Sequence, residues 1–247
     1  CVALLPPGCT PDTPMKLSTA ETVPVRNLVP EAEQIIQDAL AGQDPVARVN
    51  AIEVVATTRH IRYMPIVQRL LKDNAVPVRF AAALAVGDVQ YALAQRDLAQ
   101  LLNDQNESVR TAAAYAMYRL GDIKAYETVL HAIAAKDPIV RANAALLLGK
   151  AGDKNALRFL WWVLGRDDYK VQLQAAESIA MLGDERILEK IWATALSAYA
   201  DDRLMAVIAL GALGTPKAKD VLITKLDDDV LEVRLAAAEQ LGKLGEK

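Results

Sequence analysis

Few side chains in this 247-residue sequence have the types and spacings that chemistry needs. Glu127 and His131 stand four residues apart, which places both on one face of a helix in reach of a shared metal ion. A metal centre takes three or four ligands, and the second of the two histidines, His60, is far off in the chain, so no metal site is expected. The sequence has no G-x-S-x-G elbow, P-loop, glycine-rich dinucleotide turn or cysteine with a matching histidine. It is therefore read as non-enzymatic, with no catalytic residue assigned. The cysteines are Cys1 and Cys9, so the body has neither a disulfide framework nor a thiolate cluster.

Binding is better represented. The tryptophans, arginines and second histidine need elements to position them, and the sequence supplies those by repetition. VRTAAAYAMYRLGD (109–122) recurs as VRANAALLLGKAGD (140–153) and VQLQAAESIAMLGD (171–184). Taking the arginine as origin gives Arg48, Arg79, Arg110, Arg141, Gln172, Arg203 and Arg234, a step of 31 residues without insertion or deletion. Three positions on stand Ala51, Ala82, Ala113, Ala144, Ala175, Ala206 and Ala237. Seven positions on come Val55, Val86, Met117, Leu148, Ile179, Leu210 and Leu241.

Each unit reads as two helices. The first carries an apolar stripe at helical spacing and ends at Gly121, Gly152, Gly183, Gly214 or Gly245. Asp122, Asp153 and Asp184 follow as caps for the second helix. Arg59-His60 and Gln90-Tyr91 replace the Gly-Asp turn in the first two repeats, where distortion is expected. The second helix has its own stripe, from Val67/Leu71 to Leu222/Leu226, and Trp161 and Trp192 on one column of it are expected in the core. The fold predicted is an all-α solenoid over 30–247: a half-repeat, six full repeats and a closing half-repeat.

The opposite stripe of the second helices is the expected contact surface for partner proteins. It presents Arg69 and Arg96 early, then Glu127 and His131, then Arg158 and Trp162, running from basic to acidic along the array. Tryptophan and arginine are the residue types that dominate interface energies. The arginine column (Arg48, Arg79, Arg110, Arg141, Arg203 and Arg234) is read as a structural ladder near the aspartate of the inter-helix turn. Net charge is -3 and the isoelectric point near 5.5, which argues against a nucleic-acid partner. No stretch approaches the ~18 apolar residues of a membrane span.

The V-R-x-x-A-A…L-G-D signature over about 44–247 resembles the HEAT-like repeats of the phycobilin lyase family, a short variety of the HEAT/armadillo class. The resemblance implies an α-solenoid that serves as a scaffold or binding surface. It also implies a second reading, a tetrapyrrole- or bilin-handling accessory with a concave apolar face, for which the sequence offers no dedicated residue. Some HEAT-type enzymes bind iron through His-Glu dipeptides, and here no histidine is followed by glutamate.

Residues 1–29 are proline-rich and aperiodic, and are read as an extended tether. CVALLPPGCT resembles the mature end of a bacterial lipoprotein, which implies a covalent lipid on Cys1 and no other cofactor. The resemblance also implies a membrane-anchored place on the periplasmic side of the cell envelope, leaning to the outer membrane, as a subunit of a membrane-associated complex. Modification at Cys9 instead is disfavoured by Pro6-Pro7 just before it, and Cys9 has no assigned role.

Overall fold

The computed structural model describes residues 28–245, so Cys1, Cys9 and the tether up to residue 27 lie outside the described residues. The regular elements described are all helical. They run α1 (Val29–Ala41), α2 (Pro45–Thr57), α3 (Met64–Leu70), α4 (Val76–Val89) and α5 (Gln95–Leu101). There follow α6 (Glu107–Arg119), α7 (Tyr126–Ala132), α8 (Pro138–Ala151), α9 (Leu157–Leu164) and α10 (Tyr169–Met181). The array closes with α11 (Leu188–Ala195), α12 (Ala200–Leu213), α13 (Pro216–Thr224) and α14 (Leu231–Lys243). Even-numbered helices up to α14 are the first helices of the repeats, and α1 is the half-repeat before them.

Local chemistry starts and stops these helices. Asp44 and Asp137 accept hydrogen bonds from the N–H groups that begin α2 and α8, ahead of a proline whose missing donor costs nothing there. At the other end Gly152 takes φ +78°, the left-handed conformation that turns the chain out of α8. Arg59 and Gln90 adopt that same conformation, with φ 53° and 56°. The N–H groups of His60 and Tyr91 donate to Val55 and Val86 at 3.0 Å, just as Asp122 donates to Met117 in a glycine repeat. The expected distortion is therefore absent: the turns are regular and the strain falls on two side-chain-bearing residues.

Packing follows the repeat. All seven alanines of the +3 column are buried, and so are all seven apolar residues of the +7 column. Each first helix packs on the next, and each second helix packs on the first helix of the repeat that follows, as α3 on α4 and α9 on α10. The second-helix stripe is buried as expected at Val67/Leu71, Val129/Ile133, Leu160/Leu164, Ile191 and Leu222, and departs from expectation at the tryptophan column and at Leu226. Trp192 and Ile223 are both 53% exposed, and Leu226 is 38% exposed. Trp161 is half-buried, its Nε1 donating to Asp184 Oδ2 at 3.0 Å. The buried positions around the tryptophans are Ala156, Leu160, Val163 and Leu164, and Ile187, Ile191 and Ala195. The tryptophan column stands one residue beyond the buried Leu160 and Ile191, about 100° further round the helix, which puts it at the outer edge of the stripe.

The array curves towards its first helices. α6 is covered on every side, including Thr111 and Tyr115. Lys150 on α8 reaches over it to place Nζ 2.9 Å from Asp88 Oδ2 on α4. The inner surface is thus built from first helices, and the second helices expected to form the long free face lie on the outside.

Candidate functional site

The arginine column organises the loops between repeats. Arg79 donates from Nη1 to the carbonyls of Asp73 and Asn74 in the loop before its own helix. Its Nε and Nη2 also grip Asp104 in the following loop, at 2.7 and 3.0 Å. Arg48 pairs in the same way with Asp73, Arg141 with Asp167 and Arg203 with Asp228. Arg110 and Arg234 make the carbonyl contacts alone, since Ala135 stands where Arg110 would need a carboxylate. The carboxylates that pair with this column belong to the loops between repeats, whereas the aspartates of the inter-helix turns cap: Asp122 and Asp153 accept from Lys124 and Asn155 N–H.

These pairs set the acidity of the aspartates. The Arg141 hydrogen bonds hold Asp167 below the usual carboxylate range against the opposing effect of burial. Hydrogen bonds from Arg203 bring Asp228 down to about 2. For Asp104 burial acts upward, and the bonds from Arg79 and the Asn106 N–H outweigh it.

On the outer surface His131, Arg158 and Trp162 converge. A shallow groove of about 790 Å³ between α7 and α9 is lined by these three with Leu130, Ile133 and Phe159. Trp162 is 48% exposed, with the Arg166 guanidinium 5.9 Å from its ring centroid. Arg158 lies 4.5 Å from the centroid of the Phe159 ring. Neither arginine has a carboxylate partner among the described residues, in contrast to the paired arginines of the ladder. Glu127 is exposed one turn away, while Arg69 and Arg96 sit exposed on α3 and α5, outside the groove. Among the described residues no group of three His, Cys, Asp or Glu is placed to hold a metal ion. No described helix is long and apolar enough to cross a membrane.

The inner surface holds a second feature, of similar volume, that the sequence reading missed. An open cavity of about 750 Å³ runs across α2, α4, α8 and α10. Ile52, Phe80, Leu84, Ile139 and Leu146 supply its apolar wall. Asp88 closes one end, accepting from Tyr115 Oη at 2.6 Å and from Lys150. Burial, with Asp88 beside it, pushes the Tyr115 hydroxyl well above its usual range and keeps it a donor. Burial also raises the Glu177 carboxyl, opposed by a hydrogen bond from Gln174. A signal was present in the column nine residues after each arginine, where Asp88, Arg119 and Lys150 interrupt apolar helices.

Helical hairpins at a fixed 31-residue pitch, stacked over one continuous core and bolted loop to loop, define an α-solenoid with a groove on each of two surfaces. A family model described as HEAT repeats matches residues 32–118, 126–203 and 191–247, and the chain belongs to that family. Among solved structures it is similar to the complex of CpcE and CpcF of phycocyanin lyase from Nostoc sp. PCC7120, at 18% identity. That match has a TM-score of 0.54 and covers 85% of this chain and 94% of the other. It is also similar to human deoxyhypusine hydroxylase, at 18% identity and a TM-score of 0.45, covering 86% of this chain and 84% of that one. No curated protein matches it in sequence.

Proposed function

We propose that the protein is a non-catalytic scaffold that holds partner proteins, with its principal contact in the outer groove between α7 and α9. The observation that carries this reading is the half-exposed Trp162 with Arg158 and Arg166, unpaired among the described residues, around an apolar floor. Exposed tryptophan and arginine over a concave apolar surface have the composition of an interface hot spot. Two guanidinium groups and His131 select a partner surface that carries carboxylates. The test is affinity capture from the native cell extract with wild type and Trp162→Ala, quantified by mass spectrometry. At least one partner should be lost from the variant while its melting temperature stays unchanged. An identical set of captured proteins would sink the proposal.

The lipid anchor expected at Cys1 belongs to the same reading, which makes the scaffold an accessory of a membrane complex. The intact mass of protein isolated from its native membrane tests it, an unmodified Cys1 ending that part of the proposal. A second reading, the handling of a tetrapyrrole, has one observation in its favour: the inner cavity of about 750 Å³, within the size range of small-molecule sites. The likeness to a phycocyanin lyase structure fits it. A visible-absorbance spectrum of the native protein separates the two readings, because a bound pigment is coloured.

A further inference from the structure

The inner cavity carries charge that its own walls leave uncompensated. Lys150 is the single cation among its lining residues, and Asp88 takes it. Glu53, Asp137 and Glu177 remain. Glu53 is exposed and makes no ion pair among the described residues. Asp137 uses one oxygen to cap α8. Glu177 has a glutamine, not a cation, as its hydrogen-bond partner. Burial raises its pKa, against smaller opposing effects of the Gln174 hydrogen bond and of the charge on Lys150, which Asp88 already pairs. Between these carboxylates lie Phe80, Leu84 and Leu146, with Ile139 66% exposed at the rim.

An apolar strip flanked by four carboxylates against a single lining cation is complementary to one kind of surface. We propose that this cavity is a docking groove for a cationic amphipathic helix of a partner protein. The helix lays its apolar stripe on Phe80, Leu84 and Leu146, and its lysines or arginines meet Glu53, Asp137 and Glu177. Helix-in-groove recognition uses anchors one helical turn apart, which a groove crossing several parallel helices can accept. The negative rim repels acidic segments and so sets the sign of the partner. This groove shares no residue with the outer one, so either site can fail without the other.

The test uses the full chain and a fluorescently labelled helical peptide with a leucine stripe and a lysine face, read by anisotropy at about 0.15 M salt. A matched peptide with glutamate in place of lysine serves as comparison. The lysine peptide should bind, and Glu53→Gln with Glu177→Gln should weaken it about tenfold. Leu146→Ser should weaken it by a similar factor, with circular dichroism confirming that each variant is folded. Trp162→Ala should leave the affinity unchanged. Failure of the lysine peptide to bind, equal binding by the glutamate peptide, or unchanged affinity in the glutamine variant would each overturn the proposal. So would a pigment bound to the native protein that displaces the peptide.

Discussion

Arg79 and Asp104 meet through two parallel hydrogen bonds, 2.7 and 3.0 Å long, across the junction between successive repeats. Asp104 in turn accepts from the Asn106 N–H through its side chain and from Arg110 through its carbonyl. One aspartate therefore receives the arginine of the repeat before it and the arginine of the repeat after it. Asp73 does the same for Arg48 and Arg79. The loops of a solenoid hold few apolar contacts of their own, so this ladder is what fixes their stacking.

The ladder can be both broken and extended. Both side chains of the Arg79–Asp104 pair are largely buried, so Asp104→Ala leaves a guanidinium without its partner. The expected loss is about 2–3 kcal/mol in denaturant unfolding. Ala135 interrupts the ladder where the repeat calls for an aspartate, 31 residues after Asp104. Ala135→Asp should give Arg110 the carboxylate it lacks and stabilise by roughly 0.5–1 kcal/mol. A variant that melts no higher than wild type would show that Arg110 is fully satisfied by the carbonyls of Asp104 and Gln105.

Arg59 holds a left-handed conformation that its Cβ disfavours. Arg59→Gly should stabilise the protein by about 1 kcal/mol, less the entropy glycine adds to the unfolded chain. Gly152→Ala should cost a similar amount, since its φ of +78° admits no side chain without strain. Thermal unfolding of the two variants against wild type reads both signs.

The 31-residue pitch, the alanine and leucine columns and the glycine turns were legible because each rests on residues close in sequence. The arginine column was legible as a structural device, but the wrong aspartate was assigned to it. Asp122 and Asp153 stand nearer in the repeat pattern, whereas the pairing with Asp73 or Asp104 depends on how far one loop is offset from the next. That offset is a property of stacking. The tryptophan column was misplaced because it stands one residue beyond the buried Leu160 and Ile191, about 100° round the helix, and apolar residue type alone does not say where the buried stripe ends. The outer cluster of His131, Arg158 and Trp162 was found because outward-facing columns can be counted. The inner cavity was not, because it exists only through the curvature that brings Lys150 to Asp88 over α6.

The close approach of neighbouring first helices depends on two glycines inside them. A Cβ on Gly87 would lie 2.8 Å from Tyr115 Cε1 and 3.0 Å from Ala116 Cα, and one on Gly149 would lie 2.9 Å from Ser178 Cα. Alanine at either site gains up to about 1 kcal/mol of helix propensity. The clash with backbone of the neighbouring helix costs about 1–3 kcal/mol and outweighs that gain. Gly87→Ala and Gly149→Ala should therefore destabilise in denaturant unfolding. Gly242→Ala, where a Cβ meets nothing, should not.

Acid should dismantle the ladder before it reaches the core. Asp167 and Asp228 are held below their unfolded values by Arg141 and Arg203, the latter aspartate at about 2. With a depressed folded value the unfolded state binds more protons, so the stability these pairs contribute is present above about pH 4. It is lost as pH falls from there towards 2. Arg203 also contacts Asp229, and the pair with Asp228 is almost wholly buried, so this junction carries the largest share. Unfolding free energy should be level from neutral pH down to about 4 and then decline steeply. In Asp228→Asn the decline below pH 4 should be shallower and the neutral-pH stability lower. If variant and wild type lose stability in parallel across that window, Asp228 does not hold its proton affinity down through Arg203, and the ladder is not the acid-sensitive part of the fold.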